Sequence, residues 1–251
     1  MALRHMRSAV LMVLLLAALA HAHEAGAASL QSSSWERLGI PDPVDAVMVA
    51  TLISGLGVFY AIFIKSATEK GKKLLYTVIA APIILATVYL AGSTVYQNMV
   101  SATGGPVHWH ADYEVWACGQ EYTLADPTGI SNKVGTPTVH EHNDNRIHIE
   151  GVLLTMDEAS LHNFFVQVGG DFDNGSLTIP TNDGVFTWND GDLCNGKPGK
   201  WYVFVNGELV DDGPDHIIAP YTTVPPGDRI KIVFTEKKPS DIDPEIGGGA
   251  P

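Results

Sequence analysis

The sequence predicts an α+β domain, a mixed or antiparallel sheet with one packed helix, preceded by a two-helix transmembrane hairpin. Three observations lead there. Two uncharged apolar stretches, residues 46–64 and 74–91, are each long enough to cross a hydrocarbon core. Downstream, residues 107–115 and 146–150 alternate between apolar and polar, the period of a half-buried strand. Between these and a later run of strands, Leu161, Phe164, Phe165 and Val168 fall on one face of a helix.

Charge separates the two parts of the chain. The 251 residues carry a formal net charge of −13. Residues 1–100 hold seven Lys/Arg against five Asp/Glu, while residues 101–251 hold eight against twenty-three. An acidic domain of this kind repels nucleic acid and anionic lipid head groups, which argues against both as partners, and its field favours cations.

The N-terminus reads as a secretory signal over residues 1–22. Arg4 and Arg7 precede an apolar run, and Ala20 and Ala22 flank His21 in a small-residue cleavage pattern. Ala25 and Ala27 form a second such pattern, so the point of cleavage stays open. Residues 23–45 follow as an outer linker, and residues 46–91 as the hairpin. Its connecting segment, residues 65–73, has four lysines and one glutamate, which the positive-inside rule places in the cytoplasm. Signal and lysines agree: the C-terminal domain belongs on the outer side, periplasmic or extracellular, of a cytoplasmic membrane. Neither apolar stretch contains an Asp, Glu, Lys, Arg or His, so neither offers an ion path or proton relay. They read as a passive anchor. Gly55 and Gly57 permit close helix packing, Thr51 and Ser54 can bond across an interface, and a membrane-protein partner is compatible with both.

Residues 92–105 read as a linker and residues 106–236 as the outer domain. In the first strand Val107, Trp109, Ala111, Tyr113 and Val115 face one way, and His108, His110, Asp112 and Glu114 the other. Gly119 marks a tight turn into a hairpin partner at 121–124. In the next strand Ile147 and Ile149 point inward, with His148 and Glu150 outward. Thr155 and Glu158 have the spacing of a capping box ahead of the helix, and Gly169 with Gly170 supplies its stop. Further strands are expected at 177–180, 185–188, 201–205, 208–210 and 229–234. Asn206 and Gly207 give a strong hairpin signal between two of them. This order fits a β-grasp-like arrangement. Residues 237–251 are poor in apolar side chains and read as a disordered tail. Cys118 and Cys194 are the two cysteines, and outside the cytoplasm an isolated pair is a disulfide by default.

Seven of the ten histidines lie in the outer domain, and His108, His110, His140, His142 and His148 fall within 41 residues. His-x-His on a strand sets two imidazoles on one face, about 6–7 Å apart at the backbone. With Glu150 or Glu141 as a carboxylate, the set suits a divalent transition metal, copper or zinc above all. Met156 is the one methionine after Ser101, which argues against a methionine-rich Cu⁺ carrier. For the polar faces to meet, the strand of His108 and His110 must pair with that of His148 and Glu150. His140 and His142 are expected in a loop closing over the site. The competing reading is a pH-responsive polar surface. His162 and His216 read as structural. The acidic runs around Asp171 and Asp190 lack calcium-loop spacing and read as turns.

Together, His108 to Asp112, His140 to His142, His148 to Glu150 and Val205 to Gly207 resemble a pattern in membrane-anchored prokaryotic outer domains, over roughly residues 105–235. The resemblance implies a shared site rather than a particular activity. No nucleophile elbow, zincin helix, P-loop or dinucleotide fingerprint is present, and neither cysteine has the nearby histidine of a cupredoxin. Three functions stay open. One is a tethered metal-binding module, such as an accessory subunit of a membrane complex. The second is a metal-dependent enzyme with an open coordination position and an undefined small-molecule substrate. The third is an interaction domain with incidental histidines.

Overall fold

The structure, a computed structural model, describes residues 33–63, 68–128, 130, 132–218 and 227–247. The expected signal over residues 1–22 and the start of the lysine segment lie outside these. A short helix α1 (Ser34–Arg37) leads to two long ones, α2 (Pro43–Phe63) and α3 (Glu69–Val100). Both are long and apolar enough to cross a membrane. Their large apolar side chains, Leu52, Leu56, Leu85 and Val88 among them, are exposed in the protein alone, unlike those of a core helix. The two helices meet where Gly57 leaves room: a Cβ there would lie 2.8 Å from Ile79 Cγ1. Beside it, Ser54 Oγ donates to the Ile79 carbonyl at 2.8 Å. Thr51, by contrast, bonds back to Val47 of its own helix, and Gly55 faces open space.

At 1.5 Å per residue α3 is about 48 Å long, against about 30 Å for a hydrocarbon core. The helix thus continues through residues expected as linker and ends at Val100. Polar contacts tie this end and α1 to each other and to the following domain. Gln97 Nε2 donates to Ser34 Oγ at 2.9 Å, Ala102 N to Leu153 O at 3.0 Å, and Arg37 pairs with Glu158 at 2.5 Å.

In chain order the strands are β1 (Pro106–Ala117), β2 (Gln120–Tyr122), β3 (Val134–Gly135), β4 (Val139–Glu141), β5 (Arg146–Val152), β6 (Asp171–Asp173), β7 (Ser176–Thr181), β8 (Gly184–Asn189), β9 (Leu193–Cys194), β10 (Lys197–Pro198), β11 (Lys200–Val205), β12 (Glu208–Val210) and β13 (Gly227–Thr235). The main sheet runs β12-β11-β13-β1-β5-β4-β3, with β2 also on β1. First and last strands pair in parallel, and the other ladders are antiparallel, so the sheet is mixed. β6, β7 and β8 form a separate antiparallel sheet, and β9 with β10 a short ladder.

The helix α4 (Leu161–Gln167) packs on the apolar face of the main sheet. Leu161, Phe164 and Phe165 are fully buried with Ile147, Ile149, Ile230 and Ile232, and the Phe164 ring lies 5.3 Å from that of Tyr113. Each such side chain contributes about 1.5–3 kcal/mol by leaving water. The expected capping box is present, but it closes a 3₁₀ turn at Met156–Ala159. Ser160 caps α4 itself, its Oγ accepting from Asn163 N at 3.1 Å. At the other end Gly169 N donates to Val166 O and Gly170 N to Phe165 O, the bonds of a Schellman stop. Cys118 with Gly119, and Asn206 with Gly207, all have positive φ and form tight hairpin turns at the two places expected. Cys118 and Cys194 are joined in a disulfide that fastens the β1–β2 turn to β9.

The disordered tail expected from composition does not hold for residues 237–247. Ile242 is buried with Trp116, Phe204 and Val233 on the second face of the sheet. Lys231, fully buried beneath this segment, donates to Glu245 O at 2.9 Å and lies 5.7 Å from the Trp116 ring centroid. One apolar side chain and a few backbone acceptors therefore order what low hydrophobicity suggested would be loose.

Gly227 opens β13 with φ +145°, and a Cβ there would stand 1.8 Å from the carbonyl oxygen of His110. Gly227→Ala is expected to destabilise the domain by about 2 kcal/mol or more, because β13 must shift off β1. A chemical-denaturation midpoint equal to that of wild type would contradict this.

Candidate metal centre

Strand register assembles the histidines. In the β1–β5 ladder His108 is opposite Glu150 and His110 opposite His148, and in the β5–β4 ladder His148 is opposite His140. Opposed residues share a face. His110, His148 and His140 therefore form a row across three adjacent strands, with His108 and Glu150 in the row beside it. The expected meeting of the two polar faces occurs. His140, however, lies on a strand rather than in a loop, and His142 stands just beyond its end. Short strands such as β4, three residues long, leave too little alternation to read in advance.

Within each His-x-His the rings converge through Nε2. The separations are 3.0 Å for His108 and His110, and 3.1 Å for His140 and His142. Two nitrogens each about 2.0–2.1 Å from one ion, at angles of 90–110°, are about 2.8–3.4 Å apart, so both pairs already have chelating spacing. The ligand nitrogens of His108, His110 and His148 lie within 4.8 Å of one another, and those of His140, His142 and His148 do likewise. These groups can hold a metal ion.

Protonation favours the same reading. His142 Nδ1 is 2.5 Å from the Asn132 carbonyl, which can only accept, so Nδ1 carries the proton and Nε2 presents its lone pair. His140 is 2 % exposed, and its Nδ1 is buried with no hydrogen-bond partner. Burial first, then the charges of Lys133 and His142, lowers its pKa to about 4, so the ring is neutral and able to ligate at neutral pH. Burial, with His148 and His108 nearby, also holds His110 below the usual histidine range.

Two carboxylates reach the cluster. Glu150 Oε1 is 3.3 Å from His108 Nε2, and Asp144 Oδ2 is 3.3 Å from His148 Nε2. Burial alone would raise the Asp144 pKa, but the hydrogen bond and charge of His148 outweigh it and leave the pKa lowered. Asp144 was not among the residues expected at the site. It comes close because Asn143 and Asn145, both at positive φ, turn the chain between β4 and β5. Glu141, one of the two carboxylates expected there, does not join. It is buried with its Oε1 accepting from the backbone N–H groups of Asp144 (2.5 Å) and Asn145 (3.0 Å), and so closes that turn instead.

Elsewhere, His162 sits beside Asp171 and Asp173, a third group of possible ligands. Its Nδ1, the nitrogen nearest the carboxylates, donates to Phe172 O at 2.7 Å. Asp171 and Asp173 lie on the strand β6, paired with β7, rather than in the turn expected for them.

His216 has each ring nitrogen 3.5 Å from a carboxylate, Nε2 from Asp228 and Nδ1 from Asp212. At that distance both contacts are ion pairs rather than well-formed hydrogen bonds. Burial would lower its pKa, but the two aspartates outweigh burial and leave it raised. The resulting stabilisation is complete below the unfolded value near 6.5 and is lost as pH rises through the higher folded value. Stability is thus expected to fall between pH 6.5 and the raised pKa, and His216→Gln to flatten that slope. Denaturant midpoints across pH 6–9 check it, and an unchanged slope in the variant would rule the assignment out.

Among the described residues, fold and site define a class: an α+β domain behind two membrane-length helices, bearing five clustered histidines that can hold a metal ion. No family model, curated protein or solved structure matches the chain.

Proposed function

We propose that this protein is a membrane-anchored, extracytoplasmic module that binds copper or zinc through His108, His110, His140, His142 and His148, with Glu150 at hand. The convergence of Nε2 atoms to 3.0 and 3.1 Å on the two strands that flank β5 carries this reading. The lysine-rich segment between the apolar helices supports the sidedness, as does a disulfide in the same domain as the cluster. The resemblance of the histidine pattern to that of membrane-anchored prokaryotic outer domains supports the site, and parallel adjacency of β1 and β13 supports a β-grasp-like domain. Passage of the ion to a membrane partner fits a cluster whose His108 is exposed at its rim.

The test is elemental analysis of the full chain in detergent after supply of Zn²⁺ or Cu²⁺. Bound metal is expected in the wild type and measurably less in His108→Ala/His110→Ala. Wild-type protein without metal at micromolar supply would end the proposal.

A further inference from the structure

We infer that the cluster holds two metal ions, one on each His-x-His segment, with His148 shared between them. The inference rests on the metal-binding reading above. The five ligand nitrogens gather into two triads whose common member is His148. β1 and β4 flank β5 on opposite sides, so two strand spacings, about 9–10 Å, separate their backbones. Among the described residues no set of ligand atoms within 4.8 Å of one another includes both pairs, so one ion does not take ligands from both as the rings stand. Each pair is separately set at chelating distance.

His148 occupies the middle. Its ring is edge-on to His110 at 4.7 Å and to His142 at 4.9 Å, and stacks on His140 at 5.5 Å with an interplanar angle of 6°. Imidazole has nitrogens on opposite sides of one ring and serves two ions once its remaining ring proton has passed to solvent. His148 Nε2 makes only a long hydrogen bond to Asp144 Oδ2, 3.3 Å, which a metal ion bound at that nitrogen replaces. Each ion then has three histidine nitrogens, and Glu150 stands beside the β1 position as a further donor. The acidic domain offsets the added cationic charge.

Isothermal titration of the full chain in detergent with Zn²⁺, alongside elemental analysis, tests this. Wild type is expected to bind two equivalents, and His108→Ala/His110→Ala and His140→Ala/His142→Ala one each. One equivalent in the wild type overturns the two-ion site but leaves metal binding standing, whereas none overturns both. Because the wild-type count needs no variant to fold, the inference is decided even if a pair substitution does not. Wild type loaded with Cu²⁺ is expected to give an exchange-coupled paramagnetic resonance spectrum, and two uncoupled ions would overturn the sharing of His148.

Discussion

His148→Ala is expected to weaken Zn²⁺ binding at least about 100-fold, more than any other single substitution in the cluster. Loss of a residue that merely orients a ligand costs about 10–100-fold, and loss of a ligand itself costs at least the upper end of that range. His148 is the one histidine belonging to both triads, while His108, His110, His140 and His142 each belong to one. Its position opposite His110 on one side and His140 on the other makes its removal felt in both directions. Asp144→Asn, which keeps shape but removes the charge beside His148 Nε2, is expected to cost about tenfold. Competition with a chromophoric chelator measures both on the full chain. Wild-type affinity in His148→Ala would show that His148 is a bystander to the neighbouring pairs.

Cys118→Ala/Cys194→Ala is expected to lower stability by about 4–5 kcal/mol, from the loop-closure entropy that a cross-link removes from the unfolded chain. The bonded residues are 76 apart, so the unfolded chain gains much freedom when released. Within that loop lie the histidine strands β4 and β5, the helix α4 and the small sheet of β6–β8. Cys194 is fully buried in the core, so the bond also fixes where the β9–β10 ladder meets the main sheet. Domains are commonly stable by about 5–15 kcal/mol in total, which makes this a large share. Denaturant unfolding followed by tryptophan fluorescence, with and without reductant, measures it. A midpoint unmoved by reductant and by the double substitution would mean that core packing alone holds these parts together.

Much of this domain was readable where a single physical requirement dominates a stretch of chain. Alternation located β1 and β5 and named their outward histidines, because a half-buried strand leaves a period of two. The stripe of Leu161, Phe164, Phe165 and Val168 located α4, though its start was placed early, since the capping box at Thr155 closes a 3₁₀ turn first. Asn206 with Gly207 marked a hairpin because few other residues accept positive φ at both positions. The strands β3, β4, β6, β9 and β10 went unseen. They are two or three residues long and exist because a neighbour supplies their hydrogen bonds, a cause that local sequence does not record. Residues 237–247 were misread for a related reason, since their partners, Lys231 and Trp116, belong to distant strands.

The cluster divides in the same way. The sequence by itself determined the histidines, their His-x-His spacing and the two cysteines, as well as the apolar stretches long enough to cross a membrane. Ligand type and periodicity are local properties, and counting residues suffices for them. Tertiary structure alone decided that His140 lies on a strand beside His148, that Asp144 reaches the cluster while Glu141 closes a turn, and that the histidines form two triads. Those outcomes depend on register, and register is set by which strands pair across the sheet.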